Sequence, residues 1–241
     1  VLKEDLPLEI VPGITAALAA GAFAGIPITH RGLASAVALV TGHEEPSKSK
    51  SALDWDALAR FPGTLVIYMG VTTANSWTQA LLRAGKAADT PAALIRRCSL
   101  PDQQTIHCRL DEVADQLNPA SRFRPPAIVI LGAVTQLAKT MNWIKDRPLL
   151  DQTVLVTRPR GQAKSLAGLL RDLGARVLLQ PAITIEPPED WQQVDLALDQ
   201  LSEYEMLIFC SHNGVHFFLN RLEERGNDMR ALAGIEIGCI G

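Results

Sequence analysis

With 241 residues, 47% of them hydrophobic, the chain carries enough apolar side chain for one large domain or two modest ones, and wholesale disorder is excluded. Its net charge of −3 gives no electrostatic case for a nucleic-acid partner. No apolar run is long enough to cross a bilayer and no leader opens the chain, so the cytoplasm is the expected compartment. Cys98, Cys108, Cys210 and Cys239 have no zinc-ligand spacing and read as free thiols. The start without methionine and the strand-like ending GIEIGCIG read as an internal piece of a longer protein.

The first element is the small-residue run VPGITAALAAGAFAGIPITHRG, from Val11 to Gly32. Pro12 and Gly13 predict a tight turn, and Thr15 the cap of a short alanine-rich helix. Side chains this small let backbone approach backbone, or let a flat ligand lie against the chain. A second turn at Gly25–Pro27 leads to Thr29, His30 and Arg31, polar groups that need partners wherever they are buried. From these residues alone, plain helix packing before an exposed polar turn stands beside a ligand-binding reading.

SAVALVTG (35–42) predicts a strand with His43 and Glu44 at its end, and EEPSKSKSA a mobile surface loop. Asp54 is placed to cap a short helix carrying Trp55, Leu58 and Phe61 on one side. TLVIYMG (64–70) reads as a buried strand entering a glycine turn, where open α/β sheets often meet ligands. Met69 at that turn is either core filling or a soft wall for a purine. A helix from about Thr73 to Arg83 stops at Gly85. TPAALIRRC then predicts a strand whose Ala92 and Ala93 leave room for a ring, and a further strand follows LPDQQ. Asp111 begins a helix to about Leu117; Ala127–Leu131 is a strand closing on Gly132, and a helix continues to about Ile144.

KDRPLLDQ (145–152) reads as a junction. Beyond it, TVLVTRP predicts a strand, and Gly161 and Gln162 precede a helix to about Leu173 that Gly174 stops. RVLLQPAITIEPPE predicts two extended runs split at Pro181, and Trp191–Leu201 a helix. EMLIFCS is a strand, SHNGVHFFLNRLEERG a helix, and GIEIGCIG the start of another strand. This alternation argues for a mostly parallel sheet. His212 and His216 stand four apart on one helix, a metal-pair spacing, but no third ligand accompanies them and surface or capping roles are favoured.

The words VPGITAALAA, AGIPITHRG and VALVTGH, in that order, resemble the tetrapyrrole methylases, specifically the uroporphyrinogen-III C-methyltransferases. VLVTRP, the helix ending LGA, PAITIEP and IFCSHNGVHFFL resemble the uroporphyrinogen-III synthases. The implied fold class is α/β. The second lobe of a tetrapyrrole methylase, a mixed sheet with helices, is expected over 1–146. A partial doubly wound α/β domain of the synthase type is expected over 150–241. The methylase family's first lobe, with its glycine-rich loop, has no counterpart in these residues.

The resemblance implies S-adenosylmethionine-dependent C-methylation of uroporphyrinogen III to precorrin-2, in a bifunctional protein that also cyclises hydroxymethylbilane to uroporphyrinogen III. The alternatives are a methylase for a later corrin precursor and an α/β fragment without catalysis of its own. By motif match, Gly13, Thr15, Ala16, Met69, Ala93, Gly132 and Ala133 are assigned to the cofactor pocket. His30 and Arg31 are assigned to porphyrinogen carboxylates, a task suited to arginine's rigid fork. Arg158, Ser211 and Asn213 are assigned to the synthase substrate. No catalytic side chain is expected, because methyl donor and nucleophilic pyrrole carbon need chiefly to be aligned. No metal is expected, nor any cofactor for the synthase portion. Cys98 and Ser99 stand where the family has a glycine–threonine pair, and Ala133 where an acid is commoner. The expected partners are a tetrapyrrole and a second copy of the chain, as a homodimer through the methylase portion, with neither nucleic acid nor membrane.

Overall fold

The computed structural model describes residues 8–44, 51–118, 120, 121 and 123–240. Most of the expected EEPSKSKSA loop therefore lies outside the described residues. The chain divides into two compact units: one runs to Leu155 and includes Ser165–Leu178, and the other comprises Val156–Lys164 with the residues from Leu179 onward.

The first unit is built on a mixed five-stranded sheet of β1 (Val37–Thr41), β2 (Thr64–Tyr68), β3 (Pro91–Arg96), β4 (Gln104–Arg109) and β5 (Ala127–Leu131), in the order β1-β2-β5-β3-β4. β1 and β2 run parallel, whereas β5 is antiparallel to both β2 and β3. β4 pairs antiparallel with β3 at the edge. Strand alternation sends Val66, Ala93, Ile95 and Ile130 to one face, against α1 (Ala16–Ala24). Alanines 17, 20 and 24 bring α1 close to the sheet. Gly21 allows a still closer approach, since a Cβ there would stand 2.5 Å from the Ile26 carbonyl oxygen. The other face carries Leu65, Ile67, Leu94 and Leu131, packed with α2 (Trp55–Arg60) and with Trp77 and Leu81 of α3 (Ala74–Arg83). Asp54 caps α2 as expected, accepting from the Ala57 amide at 2.9 Å. A 3-10 turn at Leu110–Glu112 leads into α4 (Val113–Gln116).

The helix expected to run on to Ile144 is broken. A 3-10 stretch at Ala133–Leu137 passes into α5 (Ala138–Met141), and the chain leaves helical geometry at Asn142 before a further 3-10 turn at Trp143–Asp146. Packing against α1 accounts for the break. Gly25 ends α1 with a φ of +67°, and a Cβ on it would lie 2.6 Å from the Met141–Asn142 backbone. The chain that turns at Asn142 lets Trp143 donate to the Ala22 carbonyl at 2.9 Å and set its ring beside Phe23.

β6 (Thr153–Val156) pairs with β7 (Arg176–Leu179), and α6 (Arg160–Asp172) connects them. The second extended run expected beyond Pro181 forms no strand. Pro181, Pro187 and Pro188 offer no N–H to a ladder there. The second unit holds α7 (Gln192–Asp199), β8 (Met206–Phe209), α8 (His212–Glu224) and β9 (Glu236–Cys239), with β8 and β9 parallel. Among the described residues no helix is long and apolar enough to cross a membrane.

Ion pairs fasten α8 to α7. Arg221 holds Asp195 through two bonds of 2.7 and 2.6 Å, and Arg225 reaches the same carboxylate at 3.3 Å. Hydrogen bonding from the Arg221 guanidinium holds the Asp195 carboxyl below the usual carboxylate range. A depressed folded pKa contributes stability that is present above the unfolded value of about 3.9 and lost as pH falls through the folded value. Asp195→Asn is expected to lower Tm at neutral pH and to flatten its fall below about pH 4. Parallel acid limbs in melting curves of the two proteins would refute the coupling.

Candidate functional site

The C-terminal ends of β1, β2 and β3 meet at one edge of the sheet, and the reversed β5 brings its N-terminal end to the same edge. A cavity of about 770 Å³ opens there. That volume lies within the range of small-molecule sites, about 300–1,000 Å³. Ala16 and Ala19 of α1 form one wall, Tyr68 and Met69 a second, Cys98 and Ser99 a third, and Pro125–Ile128 a fourth. Burial pushes the Cys98 thiol up, so it presents a neutral sulfur.

The two strands that flank β5 end in the same way. Met69 and Arg97, the first residues after β2 and β3, both have φ of 51°, and Ser99 has φ of 69°. A left-handed backbone at a residue with a side chain costs on the order of 1–2 kcal/mol, and such strain gathers at ligand sites. Here it turns the Met69 side chain outward at the cavity, 62% exposed. Arg97 is tied to Asp102 at 2.6 Å. The turns are held from behind by a glycine crossing: a Cβ on Gly42 would stand 2.7 Å from the Gly70 Cα. The Trp77 indole donates to the Gly70 carbonyl at 2.8 Å, and the Thr73 hydroxyl donates to the Gly42 carbonyl.

Thr15 occupies the N-cap of α1, as expected, but its hydroxyl makes no cap bond. It pairs instead with the Tyr68 hydroxyl, which also accepts from the Ala17 amide at 2.7 Å. A strand residue 51 positions away thereby satisfies a first-turn N–H of the helix. Tyr68→Phe is expected to cost about 1 kcal/mol, the usual worth of a cap, and to speed amide exchange at Ala17. Unchanged exchange there would count against the bond.

Ala16 and Met69 are the cofactor candidates that line this cavity. Thr15 is bonded to its Tyr68 wall, while Gly13 is exposed with open space around it. Ala93 is fully buried under α1, where its small size admits the helix. Gly132 and Ala133 lie at the far end of β5, where the Gly132 amide donates to the Pro91 carbonyl at 2.8 Å. Because β5 runs antiparallel, its C-terminal glycine is carried to the sheet edge opposite the cavity. His30 and Arg31 are exposed in a turn closed between His30 and Ala34, and neither lines the cavity. Tyr68 and Pro125–Ile128 are walls that sequence reasoning missed, whereas Cys98 and Ser99 were already marked by departing from the family pattern.

In the second unit Ser211 caps α8, its hydroxyl accepting from the Gly214 amide at 3.1 Å. The Asn213 side-chain oxygen accepts from Gln162 at 3.2 Å, which joins the first turns of α6 and α8. Arg158 is exposed just ahead of α6. First-turn amides of a helix have no intrahelical acceptor and favour anionic groups. His216, weighed above as half of a metal pair, lies 3.3 Å from the Asn220 amide nitrogen.

Residues 1–114 match the family model of the Tetrapyrrole (Corrin/Porphyrin) Methylases, and residues 164–241 match that of uroporphyrinogen-III synthase HemD. A porphyrin biosynthesis protein HemD of Ruminiclostridium josui is 31% identical over 99% of this chain and 47% of its own length. A uroporphyrinogen-III C-methyltransferase of Bacillus subtilis is 31% identical over 95% of this chain and 47% of its own. An S-adenosyl-L-methionine-dependent uroporphyrinogen III methyltransferase of Methanosarcina barkeri is 44% identical over 56% of this chain and 53% of its own. Among solved structures, a uroporphyrin-III C-methyl transferase of Thermus thermophilus, complexed with S-adenyl homocysteine, is 39% identical over 56% of this chain and 57% of that one, with a TM-score of 0.47. The chain spans about half the length of these curated relatives. Residues 1–114 are thus similar to a segment of the tetrapyrrole methylases, and residues 164–241 to a segment of the uroporphyrinogen-III synthases.

Proposed function

We propose that the methylase segment takes part in C-methylation of uroporphyrinogen III to precorrin-2, with S-adenosylmethionine as methyl donor. The synthase segment takes part in cyclising hydroxymethylbilane to the same uroporphyrinogen III. The observation that carries the first reading is the cavity at the ends of β2 and β3. It has a wall of alanines, an outturned Met69 and strained turns. The cavity's lining residues from Ile14 to Leu100 also fall within the stretch that matches the methylase family model, and a relative 44% identical over 136 residues carries that donor and substrate in its name.

The residues present suit the group. Ala16 and Ala19 allow a flat ring to lie close to α1, and Met69 offers a polarizable contact. Bound S-adenosylmethionine supplies an electrophilic methyl, and the pyrrole carbon is its nucleophile. The chain contributes alignment of donor and acceptor; S-adenosylhomocysteine is the leaving group, and the proton that the methylated ring sheds passes to solvent. Arg31, exposed on its turn, is proposed to engage porphyrinogen carboxylates, and its alanine variant is expected to raise KM for porphyrinogen alone. The synthase reading rests on the joined first turns of α6 and α8 beside Ser211 and Asn213. The proposed homodimer would use the exposed apolar face of Ile10, Val11 and Leu18, and equilibrium sedimentation tests it.

The deciding experiment is calorimetric titration of the purified chain with S-adenosylhomocysteine, followed by transfer of labelled methyl to uroporphyrinogen III. Binding with transfer is the expected result. Absence of binding would remove the donor from this cavity. Binding without transfer would leave the chain a cofactor-binding module.

A further inference from the structure

A second cavity in the first unit, of about 310 Å³, shares Ser99 and Leu100 with the walls of the first. Its floor includes Phe23, Ile144 and Leu150, and its charged lining consists of Arg147, Arg171 and Arg176, with no acid among the lining residues. We propose that this cavity seats carboxylates of a polycarboxylate ligand. Its identification as the tetrapyrrole rests on the function proposed above.

The arginines are brought together by backbone that the sequence makes specific. Gly174 ends α6 with φ of +100°, and a Cβ there would stand 2.9 Å from the Arg147 Cβ. The Leu149 amide donates to the Leu173 carbonyl at 2.9 Å, and the Arg176 amide to the Gln152 carbonyl at 2.8 Å. These bonds fix the 147–152 stretch against the residues that carry Arg171 and Arg176. Arg147 is further oriented by the Trp143 ring, with 4.7 Å between guanidinium carbon and ring centroid.

Among the described residues no ion pair involves Arg147, Arg171 or Arg176. Asp102 senses Arg176 through space, but it is already bonded to Arg97 at 2.6 Å. Three guanidinium groups around an apolar floor are complementary to an anion with an apolar body. Guanidinium forks match planar carboxylates in pairs. A cavity this small admits a side group of a ring, not a polymer backbone. The shared Ser99–Leu100 wall places such a carboxylate beside the cavity lined by Met69.

The test is a fluorescence titration of the purified chain with uroporphyrin III, an octacarboxylate, alongside calorimetry with S-adenosylhomocysteine. Arg171→Ala with Arg176→Ala is expected to weaken uroporphyrin binding about tenfold or more, leaving S-adenosylhomocysteine affinity and Tm unchanged. Arg171→Lys with Arg176→Lys is expected to recover part of the loss, since lysine keeps the charge but not the fork. Wild-type affinity in the double alanine variant would overturn the proposal, as would failure of the wild-type chain to bind uroporphyrin. Arginine-dependent uroporphyrin binding without any S-adenosylhomocysteine binding would uphold the carboxylate seat and sink the methylation reading instead.

Discussion

Replacing Trp77 with alanine is expected to lower the unfolding free energy of the first unit by about 3–5 kcal/mol, the range for a buried aromatic in a close-packed core. Trp77 is 1% exposed, and it joins α3 to Leu65, Ile67, Leu94 and Leu131 on one face of the sheet. It has a second task, because its indole donates to the Gly70 carbonyl and so holds the turn that presents Met69. Trp77→Phe separates the two. It keeps much of the packing but deletes the donor, at an expected cost of about 1–3 kcal/mol for the carbonyl left without it. The phenylalanine variant should also bind S-adenosylhomocysteine more weakly while still folded. Chemical denaturation gives the stabilities and calorimetry the affinities. A loss below about 1 kcal/mol in the alanine variant would mean that the core closes around the missing ring.

Met69→Glu is expected to raise the S-adenosylhomocysteine dissociation constant about tenfold to a hundredfold, with little change in Tm. The stability expectation follows from exposure. At 62% accessible, the new carboxylate stays solvated in the free protein, and glutamate meets the same φ of 51° that methionine does. The affinity expectation follows from desolvation. A ligand filling the cavity would strip water from that charge, at about 1–3 kcal/mol even with partial compensation. Met69→Leu is the control: it keeps an apolar wall and should bind nearly as the wild type does. An unchanged constant in a folded glutamate variant would return Met69 to the role of a surface residue. The same titration bears on Ala16, which faces the cavity from α1.

Much of the architecture was legible in local patterns. The apolar runs 64–68, 91–96 and 127–131 are strands, and their alternation matches the two faces of the sheet. Asp54 caps α2, and Gly85 and Gly174 follow their helices with positive φ. These features depend on neighbours in the chain: side-chain period, a cap within reach, a residue tolerant of left-handed backbone. Small residues in α1 were equally visible, but their purpose was not. Ala17, Ala20 and Ala24 serve packing on the sheet, whereas Ala16 and Ala19 face the cavity.

What the sequence by itself determined, then, is where most of the strands and helices lie and which side of most of them is apolar. Only the tertiary structure decided which strand ends share an edge. A strand's periodicity is the same read in either direction, so the reversal of β5 was invisible. That reversal takes Gly132 away from the cavity and brings Pro125–Ile128 to it. The break at Asn142 likewise depends on the Gly25 backbone beside it, and the cap of α1 on a tyrosine of β2. The left-handed turns at Met69 and Arg97 carry no glycine signal, because their strain is held in place by contacts such as Trp77–Gly70 and Arg97–Asp102. Each of these depends on groups far apart in the chain, and burial over the whole sheet, not local propensity, selects among the arrangements that the same elements permit.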